Sequence, residues 1–192
     1  MLISEFVAQC EHGLFPNDEE LAQLHCSWTS RMAVGCTLQE YQILCGIAAV
    51  VCPLSILEIG PGSGGSSASM LLRAEHARLT QVTKDKGSGR DLLDENDLPR
   101  VTTLYLTSQQ FFSDNPAQYE LIFVDGDHTH DGSAHDINHA LKCCQPGGVV
   151  LAHDILHPGS EYIDATCRAL AAQYGKLYAP IRTNGNGLGI IY

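Results

Sequence analysis

The chain has 192 residues, a formal net charge of −11 and 44% hydrophobic residues. That length suits one domain, residues 1–192, with a full hydrophobic core. The acidic balance argues against a sequence-independent phosphate-binding surface, so against DNA or RNA as a partner, and no apolar run is long enough to span a bilayer.

The N-terminus carries Glu5 and Glu11 and lacks a basic region followed by an apolar one, so it does not read as a secretory signal. The eight cysteines are Cys10, Cys26, Cys36, Cys45, Cys52, Cys143, Cys144 and Cys167. None forms a C-x-x-C pair, which argues against a zinc knuckle. They read as reduced core thiols in a cytoplasmic protein. The adjacent Cys143 and Cys144 read as buried beside Leu141 rather than as a redox pair.

Residues 1–52 read as helical. Leu2, Ile3, Phe6, Val7 and Cys10 recur at helical spacing. Turns follow at His12-Gly13 and at Phe15-Pro16-Asn17. Asp18, Glu19 and Glu20 open a second helix carrying Leu21, Leu24 and His25. Thr37 is the expected N-cap of a third, with Glu40 completing a capping box. Residues 1–36 are too short for a domain. They are expected to form a helical cap over a site or part of a subunit interface.

Pro53 separates these helices from a short apolar run, Ser55–Ile59, which reads as a buried parallel strand. The run breaks into Gly60, Gly62, Gly64 and Gly65. Small polar residues then open a helix at Ser66, Ser67, Ala68 and Ser69. Strand, glycine turn and helix make a nucleotide-binding device, because glycines let backbone pass close to a ligand and free N–H groups at the helix start face it. Gly60, Gly62 and Gly65 satisfy the dinucleotide pattern G-x-G-x-x-G. The alternative spacing, Glu58-x-Gly60-x-Gly62-x-Gly64, resembles the first motif of class I S-adenosylmethionine-dependent methyltransferases. A glycine turn without a ligand is the blander alternative.

A helix over 68–76 leads to a second strand, 77–83. In Rossmann-type sites an acid at the end of that strand holds the ribose hydroxyls. Thr83 stands at that position here, and Asp85 lies two residues on. Residues 84–90 read as a polar loop, and 91–99 as a short acidic helix. The third strand, 101–106, is rich in β-branched and aromatic residues. Thr107, Ser108, Gln109 and Gln110 follow, with Ser108 able to cap the helix that Phe111 and Phe112 begin and that ends near Asn115 and Pro116. The fourth strand, from Tyr119, runs apolar residues into Asp125, a carboxylate where open α/β sheets place their ligands. A helix over 133–144 and a tight turn over 145–148 lead to the fifth strand, 149–152, which ends in His153 and Asp154. A helix over 164–174, a strand over 176–181, a turn over 184–187 and a strand over 188–192 close the chain. Two strands joined by an Asn-Gly turn are expected to be antiparallel.

Asp125-Gly126-Asp127-His128, then a helix, Pro146-Gly147-Gly148, a strand and His153-Asp154 resemble a small-molecule O-methyltransferase-like branch of the class I methyltransferases, the methyltransferase domain family 24 type. With the first motif and Ser108-Gln109, the resemblance covers about residues 37–155 and the end of the chain. It implies an α/β doubly wound Rossmann-like domain with a seven-stranded, mostly parallel sheet and an antiparallel last strand. It implies S-adenosylmethionine bound by Glu58, Gly60, Pro61, Gly62, Gly64, Ser66, Thr83, Asp85, Ser108, Gln109 and Asp125. Ser108 and Gln109 fall where such enzymes often hold the adenine. In metal-dependent relatives three oxygen-type ligands hold Mg²⁺, and the matching positions are Asp125, His153 and Asp154. His153 departs from that pattern, since imidazole suits Mn, Zn or Fe better than Mg. His128 falls where the relatives place a basic residue, so it is the expected general base beside Asp125, with an ordinary pKa of about 6.5.

Topology by itself brings Asp125, His128, His153 and Asp154 towards one crevice. His135 and His139 share a helix face but are expected on the flank, solvated or capping. His130 and His157 lie on loops at the site end, and Asp127 can accept backbone N–H bonds at the following helix. The expected activity is methyl transfer to a small hydroxylated metabolite, with no nucleic acid or membrane partner, in a homodimer. An NAD(P)-binding oxidoreductase-like protein, or a methyltransferase-fold protein that only binds, is the alternative.

Overall fold

The computed structural model describes residues 1–30, 35–114 and 117–192. Seven strands build one sheet: β1 Ser55–Ile59, β2 Arg78–Thr83, β3 Val101–Tyr105, β4 Tyr119–Val124, β5 Cys144–His153, β6 Tyr178–Ile181 and β7 Leu188–Ile191. Their order is β3-β2-β1-β4-β5-β7-β6. Neighbours from β3 to β5 pair in parallel. The last strand, β7, runs antiparallel to both β5 and β6, as the terminal Asn-Gly turn predicts.

The helices are α1 Ile3–Glu11, α2 Glu19–Thr29, α3 Leu38–Val51, α4 Gly65–Leu71, α5 Ser108–Asp114, α6 His130–Cys143 and α7 Tyr162–Gln173. They cover both faces of the sheet, which is why the central strands read as unbroken apolar runs. Side chains alternate between the faces. Ile56, Leu121, Phe123, Val149 and Leu151 pack with the layer of α1 to α4. Leu57, Ile122, Val124, Val150 and Ala152 pack with α5 to α7. Carried past the strand ends, the same alternation puts Asp125 and His153 on the α1-to-α4 side. No helix among the described residues is long and apolar enough to cross a membrane.

Several expected bounds move. The glycine turn delivers the chain into α4 at Gly65, because Gly64 takes φ +94 just before it. The helix expected over 68–76 therefore starts and ends earlier. The acidic helix expected over 91–99 is replaced by turns and a 3₁₀ segment, Leu98–Arg100. There the Asp94 carboxylate accepts from the Asn96 backbone N–H at 2.9 Å, a local bond that competes with a helix. Thr129 caps α6, accepting from the Gly132 N–H at 3.2 Å, so α6 begins three residues before the expected 133. The tight turn expected over 145–148 is a register shift inside β5, with Gly147 at φ +81. The expected stop of α5 near Asn115 and Pro116 lies outside the described residues, as do residues 31–34 of the expected cap.

Glu40 does more than close a capping box. Its carboxylate accepts from the Thr37 N–H at 2.7 Å, from the Thr183 hydroxyl at 2.8 Å and from the Gly187 N–H at 2.8 Å. The start of α3 is thereby tied to the β6–β7 hairpin. Burial alone would raise its pKa, but His153 and these donors hold it at about 2, below the ordinary 4.5. Glu40→Ala leaves several buried donors unpaired and is expected to cost about 2–3 kcal/mol, read by denaturant unfolding at pH 7. Because the folded pKa is depressed, that contribution is full above pH 4.5 and fades as pH falls towards about 2. The difference between wild type and variant should therefore narrow by pH 3.

Candidate active site

The crevice opens between β1 and β4, where the strand order reverses from β1-β2-β3 to β4-β5. A cavity of about 710 Å³ lies there. Its walls come from Gly60 after β1, Thr83 at the end of β2 and Asp85 beyond it, Ser108 and Gln109 after β3, and Gly126 to Thr129 after β4. The residues expected to hold a ribose and a base are thus on one cavity.

The glycine turn is built from beneath. Gly60 lies at φ +81, and a Cβ there would sit 2.0 Å from the Asp125 carbonyl oxygen. Two strand ends meet backbone to backbone at that point. Gly62, at φ +51, has open space where a Cβ would be. The Gly62 carbonyl accepts from the Gly89 N–H at 2.7 Å, and the Ser63 carbonyl from the Leu92 N–H at 3.1 Å, so the loop after β2 straps the turn. Glu58 and Ser66 stand behind it. Glu58 is fully buried, and its two carboxylate oxygens accept from the Ser66 and Ser67 hydroxyls. Gln81 donates to Ser67 Oγ at 2.6 Å and accepts from the Thr103 hydroxyl at 2.7 Å, extending the network across β2 and β3. Burial lifts the Glu58 pKa to about 7, an effect the two serine hydroxyls offset in part. Pro61 is buried and Gly64 donates back to its carbonyl at 2.8 Å.

Beside His128 on the cavity wall, six side chains converge: Cys36, Glu40, Asp125, His128, His153 and Asp154. His153 is buried, with Nδ1 lying 3.2 Å from Asp125 Oδ1 and 3.2 Å from Asp154 Oδ1. Its Nε2 lies 3.5 Å from Glu40 Oε1 and 3.7 Å from Cys36 Sγ. Burial works against a charge on this ring, yet the carboxylates at both ends outweigh it and hold the imidazolium. The same contacts depress the Asp125 and Asp154 carboxyls against the opposing pull of burial. Cys36 is pushed up to about 11, chiefly by burial. His128 Nε2 lies 2.7 Å from Asp154 and 3.4 Å from Asp125. Those two carboxylates lift its pKa to about 10, so the ordinary value expected from sequence does not hold in this arrangement. Tyr162 donates its hydroxyl to the His128 carbonyl.

The expected metal residues are gathered about one nitrogen, His153 Nδ1. Asp154 takes φ +64, in the left-handed region, and its buried Oδ1 has no hydrogen-bond partner among the described residues. The 3.2 Å approach to His153 is out of hydrogen-bonding line. Among the described residues, two groupings bring their ligand atoms within 4.8 Å of one another, Asp125-His128-Asp154 and Cys36-Asp125-His153; the expected set Asp125-His153-Asp154 is not among them. The Asp125 and Asp154 carboxylates with a neutral histidine ring would fit a divalent cation, and such mixed nitrogen and oxygen donors suit Mn, Zn or Fe better than Mg.

Cys36, Glu40 and Asp136 are site neighbours that sequence reasoning missed. Cys36 and Glu40 also line a second cavity of about 480 Å³ with His25 and Asn184 to Asn186. Asp136 lines the main cavity. It had one signal in sequence: it shares a helical stripe with Ser133, Ile137, Ala140 and Leu141, all buried. His135 and His139 stack at 4.1 Å and pack against Phe112, on the flank as expected. Asp127 accepts from the Thr129 N–H at 2.9 Å.

Two variants separate the roles of the turn glycines. Gly60→Ala must push apart the backbones of β1 and β4, so it should fail to fold or melt far below wild type. Gly62→Ala meets no atom, and its left-handed backbone costs about 1–2 kcal/mol, so it should fold while losing cleft-ligand affinity. Circular dichroism and calorimetry read the two outcomes. For Glu58 the folded pKa is raised, so its charging opposes folding as pH rises from 4.5 through about 7. Glu58→Gln should accordingly gain stability relative to wild type across that window, measured by denaturant unfolding at pH 5 and pH 8.

A methyltransferase domain family model matches residues 57–155, more than half of the chain. No curated protein matches the sequence. Solved structures resemble the fold over most of both chains. An O-methyltransferase from Bacillus cereus in complex with SAH is 19% identical, covers 93% of this chain and 92% of its own, and gives a TM-score of 0.71. The O-methyltransferase TomG from Streptomyces achromogenes, involved in tomaymycin synthesis and solved with SAM, is 23% identical over 93% and 91%, with a TM-score of 0.70. The SAH-bound methyltransferase PaMTH1 from Podospora anserina is 16% identical over 98% and 93%, with a TM-score of 0.73. At such identities these neighbours establish the fold, and the matched model establishes the family: the chain belongs to the methyltransferase domain family.

Proposed function

We propose that the protein transfers a methyl group from S-adenosylmethionine to the oxygen of a small hydroxylated molecule. The observation that carries this is the cleft at the β1–β4 switch point, where Gly60, Thr83, Asp85, Ser108, Gln109 and His128 line one cavity and the Asp125 backbone packs against Gly60. The residues fit the cofactor: an open glycine turn for its amino-acid portion, Asp85 or Thr83 for ribose hydroxyls, Ser108 and Gln109 for the adenine. Bound there, S-adenosylmethionine supplies the sulfonium methyl group.

The chain's own part is alignment and proton handling. Asp125, beside Gly60 at the end of β4, anchors His153. Asp125 and Asp154, with His153 once that ring has lost its proton, would hold a divalent cation, which would supply positive charge that steadies an acceptor oxygen. His128, half exposed at the cavity wall, is placed to take the acceptor's proton; Asp125 and Asp154 hold its pKa at about 10, so it serves as base when the cation engages those carboxylates. The structural neighbours, O-methyltransferases solved with SAM or SAH, support methylation at oxygen. The acidic surface supports a small acceptor over nucleic acid. The free thiols support a cytoplasmic setting, and the segment 1–36 is proposed to close the site within a homodimer. The NAD-binding alternative is disfavoured by the antiparallel β7.

Calorimetry with S-adenosylmethionine, S-adenosylhomocysteine and NAD tests the cofactor; binding of NAD alone would overturn it. Labelled S-adenosylmethionine with a panel of phenols, sugars and hydroxy acids tests the acceptor. His128→Ala should lower turnover by roughly 10²–10⁴ while leaving cofactor affinity unchanged. EDTA should abolish transfer, and Asp154→Ala should remove bound metal, measured by elemental analysis, without loss of cofactor binding. Full activity in EDTA would remove the cation from the scheme.

A further inference from the structure

Asp136 is a carboxylate in the second turn of α6 whose side chain is fully buried. Its Oδ1 has a partner, the neighbouring His135 Nδ1 at 3.0 Å. Its Oδ2 has none among the described residues. A buried carboxylate oxygen without a donor is costly, and native chains seldom keep one without use for it. Asp136 is also a wall residue of the main cavity.

Gly126 sets the space beside that oxygen. Gly126 is not at positive φ, so backbone conformation does not require glycine there. Space does: a Cβ would lie 2.8 Å from Ile59 Cγ2 and 3.2 Å from Asp136 Oδ2. Any side chain at 126 would cover the oxygen. Glycine at 126 keeps the space beside the buried oxygen free of a side chain, on a cavity wall that Gly126 and Asp136 share.

The position in the cleft fixes what arrives there. Ribose hydroxyls belong against the end of β2, at Thr83 and Asp85. The base then lies farther from the glycine turn, between Ser108 and Gln109 on one side and Gly126, Thr129 and Asp136 on the other. We propose that Asp136 Oδ2 accepts a hydrogen bond from the exocyclic amino group of the cofactor's adenine, and so sets the cleft's specificity for a 6-amino purine. The assignment rests on the adenosine cofactor proposed above.

Polarity makes Asp136 the discriminating group. As a hydrogen-bond acceptor, Asp136 Oδ2 favours an amino group over a 6-oxo group. Gln109 carries an amide, which can turn to offer either a donor or an acceptor. Gln109 therefore holds either base, and Asp136 selects.

The test measures binding of S-adenosylhomocysteine and of its 6-oxo analogue, S-inosylhomocysteine, to the full chain by calorimetry. Wild type should favour the amino form by roughly tenfold, as expected for one hydrogen bond made to the amino form and lost with the 6-oxo form. Asp136→Asn offers both a donor and an acceptor, so the preference should collapse to a few-fold, largely through tighter binding of the 6-oxo form. Gln109→Ala should weaken both ligands and keep the preference. Melting curves check that each variant is folded. If Asp136→Asn does not fold, Gly126→Ala, whose Cβ covers the oxygen, should erase the preference instead. Wild type that binds both ligands equally, or an Asp136→Asn variant that retains the preference, overturns the inference while the cofactor proposal stands. Wild type that binds neither ligand overturns both.

Discussion

One buried positive charge organises the site. Asp125, Asp154 and Glu40 all lie within 3.5 Å of the His153 ring. Three carboxylates packed this closely in a chain already at −11 would repel one another and pay heavily for desolvation. The His153 imidazolium meets them at both ring nitrogens and makes the cluster tolerable. Its influence reaches outward on two sides. Through Nδ1 it fixes the carboxylates at the ends of β4 and β5. Through Nε2 it reaches Glu40, which ties α3 to the β6–β7 hairpin. The charge that steadies the site is therefore also a joint between the N-terminal helices and the C-terminal strands.

The glycine turn depends on a different device. Gly60 lets β1 and β4 meet at contact distance, and no side chain can replace it there. Under the turn lies a polar layer of Glu58, Ser66, Ser67 and Gln81, every member hydrogen-bonded. A satisfied network of this kind specifies one arrangement, whereas a half-satisfied one would loosen it. Asp154 Oδ1 and Asp136 Oδ2, by contrast, are left without hydrogen-bond partners among the described residues. Asp136 lines the cleft, and Asp154 pairs with His128, which lines it too. The chain thus satisfies the groups that support the turn and leaves open the acceptors at its working surface.

The sheet was legible in sequence because covered strands leave apolar runs, and because an Asn-Gly turn announces the antiparallel end. The crevice was legible for the same reason: carboxylates at the ends of β4 and β5 must lie near the switch point once the strand order is known. Local chemistry that competes with a helix was not, as the Asp94 turn within 91–99 shows. Nor were contacts made across long stretches of chain. Cys36 and Glu40 meet His153 more than a hundred residues away, and nothing local to Thr37 or Glu40 suggests more than a helix cap. The expected pKa of His128 failed for a related reason. It depends on two carboxylates brought together by strand register, one from β4 and one from β5.

The missing acid at Thr83 illustrates how a fold absorbs a departure from pattern. An acid directly after β2 would face the cleft from the strand end. Here the Thr83 hydroxyl accepts from the Asp85 N–H at 3.1 Å, a local turn that bends the chain back as it leaves the sheet. Both residues consequently line the same cavity. The carboxylate has moved two positions along the chain but remains on the same wall. Its support has changed, however. An acid on the strand would be held by the sheet, whereas Asp85 is exposed and held by one hydroxyl and the strap that crosses to Gly62 and Ser63. A ribose held at Asp85, as proposed, would thereby be coupled to the loop that braces the glycine turn.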